Sequence, residues 1–122
     1  MKKVTLCIHN SLMALSIARS LQRAGGFDVS CVRAVKECAQ RNADVVLMEA
    51  AYNAGATLED CLQEANHLRN YQSMCKVIVL CDENSAPEIA RQVTQAKKDG
   101  RIDDFVYSSV SESYLTAMLL AI

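Results

Sequence analysis

Aromatic side chains are scarce in this 122-residue chain, which has no Trp, four Tyr and two Phe. Proteins that bind single-stranded nucleic acid stack its bases on aromatic rings, so the composition disfavours this class. Lys and Arg together number 13, against 14 Asp and Glu, and therefore provide no basic excess to neutralise phosphates. We expect no direct binding of nucleic acid by this domain.

Long apolar runs are missing as well, and we expect no leader. No run approaches the ~18 residues that a membrane span needs, and the short apolar stretch after Lys3 stops at His9, which is too short for a signal peptide. Six cysteines are present, but none forms a Cys-x-x-Cys pair, which excludes a zinc ribbon or a thioredoxin-type motif. We expect a cytoplasmic domain without membrane association, whose cysteines are reduced core residues.

Short apolar segments rich in Val, Ile and Leu are what the chain does have. Strong segments occupy residues 4–8, 44–48, 76–81 and 104–107, and a weaker one occupies residues 29–32. The strong segments do not alternate with polar residues, which is typical of strands that are buried on both faces of a parallel sheet.

Helical spacing of apolar residues separates these segments. Ala14, Ile17, Ala18 and Leu21 form one such stripe, and others follow each later strand, with a short helix expected at residues 35–41. Five strand–helix units predict a single α/β domain over residues 1–122, a three-layer α/β/α sandwich. Its five-stranded parallel sheet is expected to have the flavodoxin-like order 2-1-3-4-5.

Three segments resemble the receiver domain of two-component response regulators, of the chemotaxis-regulator type. Residues 43–49 (ADVVLME), 77–82 (VIVLCD) and 102–109 (IDDFVYSS) are similar to the third, fourth and fifth strands of that family. The family usually has P-D-L-V-L-L-D, I-I-x-L-T-A and A-D-D-Y-L-x-K-P there. The order and spacing of the three segments carry the resemblance, which spans nearly the whole chain.

The resemblance also assigns the residues of a phospho-acceptor pocket, and all of them depart from the family. His9 and Asn10 stand for the acidic pair that holds Mg²⁺, Glu49 for the phosphorylated aspartate, Cys81 for the hydroxyl residue and Ser108 for the lysine. Mg²⁺ needs oxygen ligands, and phosphoryl transfer depends on positioning and charge stabilisation. We therefore expect a degenerate pocket with no catalytic residue, no metal and no cofactor. Glu49 is either a solvated residue at a strand end or a mimic of phosphoaspartate.

The resemblance implies a function as a phosphorylation-independent signalling and protein-interaction module in a two-component-type pathway. Its output surface would consist of the fourth predicted helix, the fifth strand and the fifth helix. This surface contains Lys97, Lys98, Arg101, Tyr107 and Tyr114. A protein partner or an output domain would bind there, and its mixed charges suit a homodimer.

Three further residues have competing interpretations. Phe105 matches the aromatic residue that swings inward in active receivers, but ordinary core packing explains it equally well. Ser109 and Glu112 have the spacing of a capping box for the last helix. Cys7 follows the pattern of a cysteine nucleophile after strand one, as in phosphotransferase B domains, so a phosphate-handling enzyme is the alternative function.

A metal site offers a last and weaker alternative. His9, Glu49, Cys81 and Asp82 could bind a borderline ion such as Zn²⁺, although no spacing supports it. His67 is expected on a solvated helix face.

Overall fold

The structure, a computed structural model of the chain, describes residues 1–32, 37, 42–50, 58–71, 74–81 and 87–122. The described strands, in chain order, are β1 (Lys2–Cys7), β2 (Phe27–Val32), β3 (Val45–Glu49), β4 (Lys76–Cys81) and β5 (Asp104–Tyr107). The described helices are α1 (Ser11–Ala24), α2 (Leu58–Tyr71), α3 (Pro87–Lys98) and α4 (Glu112–Ala121). Apart from residue 37, the helix expected at residues 35–41 lies outside the described residues. Counted with it, α3 and α4 are the fourth and fifth predicted helices.

All five strands are parallel and have the order β2-β1-β3-β4-β5. This confirms the predicted flavodoxin-like α/β sheet. β1 is longer at its start than predicted, because Lys2 and Lys3 pair with Phe27 and Asp28 of the edge strand β2. β3 begins and ends one residue later than predicted, at Val45 and Glu49 respectively.

Apolar side chains pack on both faces of the sheet and form two core layers. One layer joins the sheet to α2 and α3 and includes Val46, Val79 and Val93. The other joins the sheet to α1 and α4 and includes Leu47 and Leu119. Since Val46 and Leu47 are adjacent and face opposite layers, the unbroken apolar run of β3 follows from burial on both sides.

Two helix ends are fixed by local chemistry. Gly25 ends α1 with a φ of 77°, a left-handed conformation that favours glycine, and its N–H bonds to the carbonyls of Leu21 and Gln22. The N-cap of α4 is Ser111, whose hydroxyl accepts a hydrogen bond from the Tyr114 N–H at 3.1 Å. The predicted capping box was therefore wrong about Ser109.

Lys2 closes the other end of α4. Its Nζ donates to the carbonyl oxygens of Leu120 at 3.1 Å and Ile122 at 2.6 Å. α4 has no basic residue in its last turn, so a lysine from β1 supplies the positive charge that a helix C-terminus favours. Among the described residues, no helix combines the length and apolar character needed to cross a membrane.

Candidate functional site

The carboxyl ends of the parallel strands meet at one edge of the sheet. β2 and β3 lie on either side of β1, so the strand order reverses at β1, and sites of doubly wound sheets lie beside such a reversal. The predicted pocket residues follow or end strands at this edge. They are His9 and Asn10 after β1, Glu49 at the end of β3, Cys81 at the end of β4 and Ser108 after β5.

Glu49 is bound to the backbone that follows β1. Its Oε1 accepts hydrogen bonds from the His9 N–H at 2.9 Å and from the Asn10 N–H at 3.4 Å. A carboxylate forms stronger bonds with backbone N–H groups than a neutral acceptor does. The half-buried Glu49 therefore has defined partners, which a simply solvated residue at a strand end would lack.

Asn10 is the N-cap of α1. Its Oδ1 accepts a hydrogen bond from the Met13 N–H at 3.1 Å, and its backbone is extended. Because the N-terminus of a helix carries partial positive charge, the Glu49 carboxylate lies at a favourable end of α1. His9 is exposed beside this contact.

Cys81 and Ser108 meet through the backbone. The Ser108 N–H donates to the Cys81 carbonyl at 2.9 Å, which joins the ends of β4 and β5. The Cys81 side chain is fully buried in the core layer of α2 and α3, whereas Ser108 is exposed. The structure thus brings His9, Asn10 and Glu49 into direct contact and joins Cys81 to Ser108.

The described part of the chain contains no group of three His, Cys, Asp or Glu side chains that could hold a metal ion. Asp82, a ligand in the zinc hypothesis, lies outside the described residues. No observation of the described site therefore favours that hypothesis.

Cys7 lies at the end of β1 with its side chain 6% exposed, packed in the core layer of α2 and α3. A cysteine nucleophile has to be accessible to its substrate. The buried position of Cys7 therefore gives the enzyme alternative no support. His67, by contrast, lies in α2 and is exposed, as expected.

Phe105 flanks the core on β5. Its ring packs edge to face against Tyr107 with 5.8 Å between the centroids, and Lys97 Nζ lies 5.7 Å from the Phe105 centroid. Both rings are partly buried against the core layer of α2 and α3. Core packing describes this arrangement, and the switching role of Phe105 stays a prediction.

Two of the predicted surface cations already have partners within the chain. Lys97 pairs with Asp104 at 2.9 Å, and Arg101 binds both carboxylate oxygens of Glu59 on α2 at 2.8 and 3.1 Å. The hydrogen bond with Arg101 lowers the pKa of Glu59 below its ordinary value. Tyr107 is half-buried.

Lys98 and Tyr114 are exposed on the same predicted surface. Of the five residues predicted for this surface, Lys98 and Tyr114 are the most available to a partner. Lys97 and Arg101 are already paired with carboxylates of the same chain, and Tyr107 is half-buried.

Comparison with known proteins relates this architecture to solved structures. A response regulator receiver domain protein from Clostridium thermocellum superposes with a TM-score of 0.76 at 14% identity, over 99% of this chain and 93% of that one. A DNA-binding response regulator of the LuxR family from Staphylococcus aureus gives 0.78 at 15% identity, over 99% and 98%. An adenylate cyclase from Rhodopirellula baltica gives 0.80 at 13% identity, over 98% and 85%. No protein-family model and no curated protein sequence matches the chain.

The fold is that of receiver domains. Two roles escaped the sequence analysis. Asn10, a polar residue just before the apolar stripe of α1, carried an N-cap signal that could have been used. The Arg101–Glu59 pair had no sequence signal, because 42 residues separate its members.

Proposed function

We propose that the chain is a cytoplasmic receiver-type module of a two-component-type pathway that works without phosphorylation and acts by binding a protein. The observation that carries this proposal is the contact of Glu49 with the backbone N–H groups of His9 and Asn10. Through this contact, backbone donors of the protein occupy the Glu49 carboxylate, which the resemblance assigns as the acceptor. The donors belong to His9 and Asn10, which stand for the acidic pair that holds Mg²⁺.

The chemistry of phosphoryl transfer supports the proposal. Transfer requires cations that neutralise the phosphoryl oxygens and hold the group in line with the acceptor. His9 and Asn10 bring no carboxylate to bind Mg²⁺, and Ser108 brings no positive charge. Glu49 has one methylene more than aspartate, and its Oε1 is already bonded. The module is accordingly not an enzyme and needs no metal or cofactor.

The proposed binding surface for a protein partner or an output domain is the face of α3, β5 and α4. Tyr114 and Lys98 are its exposed members, and tyrosine is enriched in interfaces because it buries a large area and keeps a polar tip. The proposal includes no contact with nucleic acid or membrane.

Treatment with acetyl phosphate or beryllofluoride in the presence of Mg²⁺ tests the proposal. We expect no change in the intact mass after acetyl phosphate and no change in the amide NMR spectrum after beryllofluoride, with an active receiver treated in parallel. Glu49→Asp is the matched variant. We expect it to stay inert too, because it restores the acceptor but neither the acidic pair nor the lysine. Phosphorylation of Glu49, or a Mg²⁺-dependent spectral change that saturates, would contradict the proposal.

A further inference from the structure

A cavity of about 190 Å³ lies toward the amino edge of the sheet, beside the edge strand β2. We call it the corner cavity. The described residues that line it are Lys3, Val4, Thr5, Asp28, Ser30, Asn42 and Ala43. Because the Glu49 contact lies at the carboxyl edge, the corner cavity is separate from the predicted phospho-acceptor pocket.

Four polar side chains of the corner cavity form a patch on one face of the sheet. Lys3 of β1 is in register with Asp28 of β2, and Thr5 is in register with Ser30. They lie on the face that packs against α2 and α3, because Cys7, two residues after Thr5, belongs to that core layer. A polar patch therefore adjoins an apolar core layer on the same face.

Thr5 is a buried polar residue that lacks a partner. Its side chain is 2% exposed, and its hydroxyl forms no hydrogen bond with any described residue. Ser20, which is 7% exposed, differs because its hydroxyl donates to the Ser16 carbonyl at 3.0 Å. A buried hydroxyl without a partner is costly, and such groups are usually bonded to protein, to ordered water or to a ligand. The Thr5 hydroxyl therefore requires a partner that the described part of the chain does not supply.

Two opposite charges stand at the mouth of the corner cavity. Lys3 and Asp28 are both exposed and lie side by side on neighbouring strands. Within the described ranges, neither the Lys3 ammonium nor the Asp28 carboxylate forms an ion pair. Asp44 binds only the backbone N–H of Lys3, at 2.8 Å. The cavity thus offers one available cation and one available anion above two hydroxyl groups.

The size of the corner cavity limits what it can hold. Its 190 Å³ are about six times the ~30 Å³ that one molecule occupies in liquid water. Sites for drug-sized ligands are larger, at about 300–1,000 Å³. The volume therefore suits a molecule of a few non-hydrogen atoms and is too small for a nucleotide.

We propose that the corner cavity binds a small hydroxylated amino acid, of which serine is the simplest. The ammonium group of the ligand pairs with Asp28 and its carboxylate pairs with Lys3, which matches the two charges at the mouth. The ligand hydroxyl bonds to Thr5 and Ser30 and supplies the partner that Thr5 lacks. This inference goes beyond the proposed function and depends neither on the phosphorylation claim nor on the α3–β5–α4 surface.

Titration of the full 122-residue chain with L-serine, followed by amide NMR, tests the inference. We expect saturable shifts at the amides of Thr5, Asp28 and Ser30, and none at His9. L-Alanine lacks only the hydroxyl, and we expect it to bind at least roughly tenfold more weakly, because it leaves the Thr5 hydroxyl without a partner. Acetate and methylamine each carry one of the two charges, and neither should saturate the site.

Charge-removing variants test the mouth of the corner cavity. Asp28→Asn and Lys3→Gln each remove one ionic partner of the ligand, and we expect each to raise the dissociation constant for serine roughly tenfold or more. Asp99→Asn and Lys98→Gln are the matched controls, because they make the same changes at exposed positions at the end of α3. We expect both controls to leave the dissociation constant unchanged.

Thr5→Val tests the buried hydroxyl. The hydroxyl has no partner in the ligand-free chain, so we expect the melting temperature without ligand to stay the same or rise. We also expect the preference for serine over alanine to disappear in this variant. A purely structural role of Thr5 would not alter that preference. Circular dichroism measures the melting temperature and shows that the variant is folded.

Four results would overturn the inference. Two of them are the absence of saturable shifts with serine, which would mean that the cavity holds ordered water only, and equal binding of serine and alanine. The others are binding that survives both Asp28→Asn and Lys3→Gln, and a marked fall in the melting temperature of ligand-free Thr5→Val. None of these results bears on the acetyl phosphate experiment, so the two proposals fail separately.

Discussion

At the scale of single residues, the Glu49 carboxylate binds N–H groups that lie 39 and 40 residues earlier in the chain. Its oxygen joins the end of β3 to the segment between β1 and α1. The same carboxylate faces the partial positive charge of the α1 N-terminus. Glu49 is thereby part of the structure that connects two neighbouring strands.

Replacing Glu49 with Gln tests this structural role. The amide keeps an acceptor but loses the charge, so we expect the free energy of unfolding to fall by about 1 kcal/mol. Urea unfolding gives this value, and amide exchange at His9 should become faster. Glu64→Gln on α2 is the control, with an expected change below about 0.5 kcal/mol. Unchanged stability together with unchanged exchange at His9 would contradict the prediction.

The cysteines should react with iodoacetamide in the order of their exposure. Cys31 is exposed on the edge strand β2, whereas Cys7, Cys75 and Cys81 are buried. Burial raises the pKa of the Cys75 thiol to about 11, with help from the nearby Asp103 and Asp44, so its reactive thiolate is rare near neutral pH.

Among the five cysteines that the structure describes, we expect Cys31 to be labelled first in the native chain, and we expect all six thiols of the chain to titrate after denaturation. Mass spectrometry of digested samples measures the order. Rapid labelling of Cys7 would support the enzyme alternative. A count of four thiols after denaturation would contradict the expectation that all six cysteines are reduced.

At the scale of elements, Asp103 joins three of them at the amino edge of the sheet. Asp103 lies just before β5 begins. Its Oδ2 accepts a hydrogen bond from the Val77 N–H of β4 at 2.7 Å. Its Oδ1 lies 3.6 Å from Arg69 of α2 and 3.9 Å from Lys76. The side chain is 17% exposed, so these contacts are only partly screened by water.

Asp103→Ala should therefore destabilise the fold by about 2 kcal/mol, because the Val77 N–H loses its side-chain acceptor and two cations lose their partner. Chemical denaturation measures the loss. Asp28→Ala, at an exposed position on β2, should change the stability by less than about 0.5 kcal/mol. Equal effects of the two substitutions would show that the Asp103 contacts contribute little.

The strands were predictable because burial on both faces leaves an unbroken apolar run, as in β3 and β4. The start of α4, by contrast, was not predictable from the sequence. The spacing rule matched Ser109 and Glu112, but the Val110 N–H bonds back to the Tyr107 carbonyl at 3.2 Å. This turn delays the helix, so that Ser111 becomes the N-cap.

The site was predictable in its positions but not in its contacts. Strand ends placed His9, Asn10, Glu49, Cys81 and Ser108 at one edge of the sheet, as expected for parallel strands. Whether Glu49 points to solvent or back to His9 depends on side-chain rotamers and on the register of β1 and β3. No local sequence pattern encodes either of these.

At the scale of the whole molecule, α4 connects the core to the proposed binding surface. Its inward side completes the core layer with α1, and its exposed Tyr114 belongs to the α3–β5–α4 surface.

The bond between Lys2 and the end of α4 has a consequence for chain connectivity. Because Lys2 Nζ lies 2.6 Å from the Ile122 carbonyl, residues 1 and 122 are close enough for a short linker. A circular permutant opened at the exposed Ser109 would place α4 directly before β1. Contacts that now span 120 residues would become local, which lowers the contact order. We therefore expect the permutant to form the same sheet faster than the original chain does.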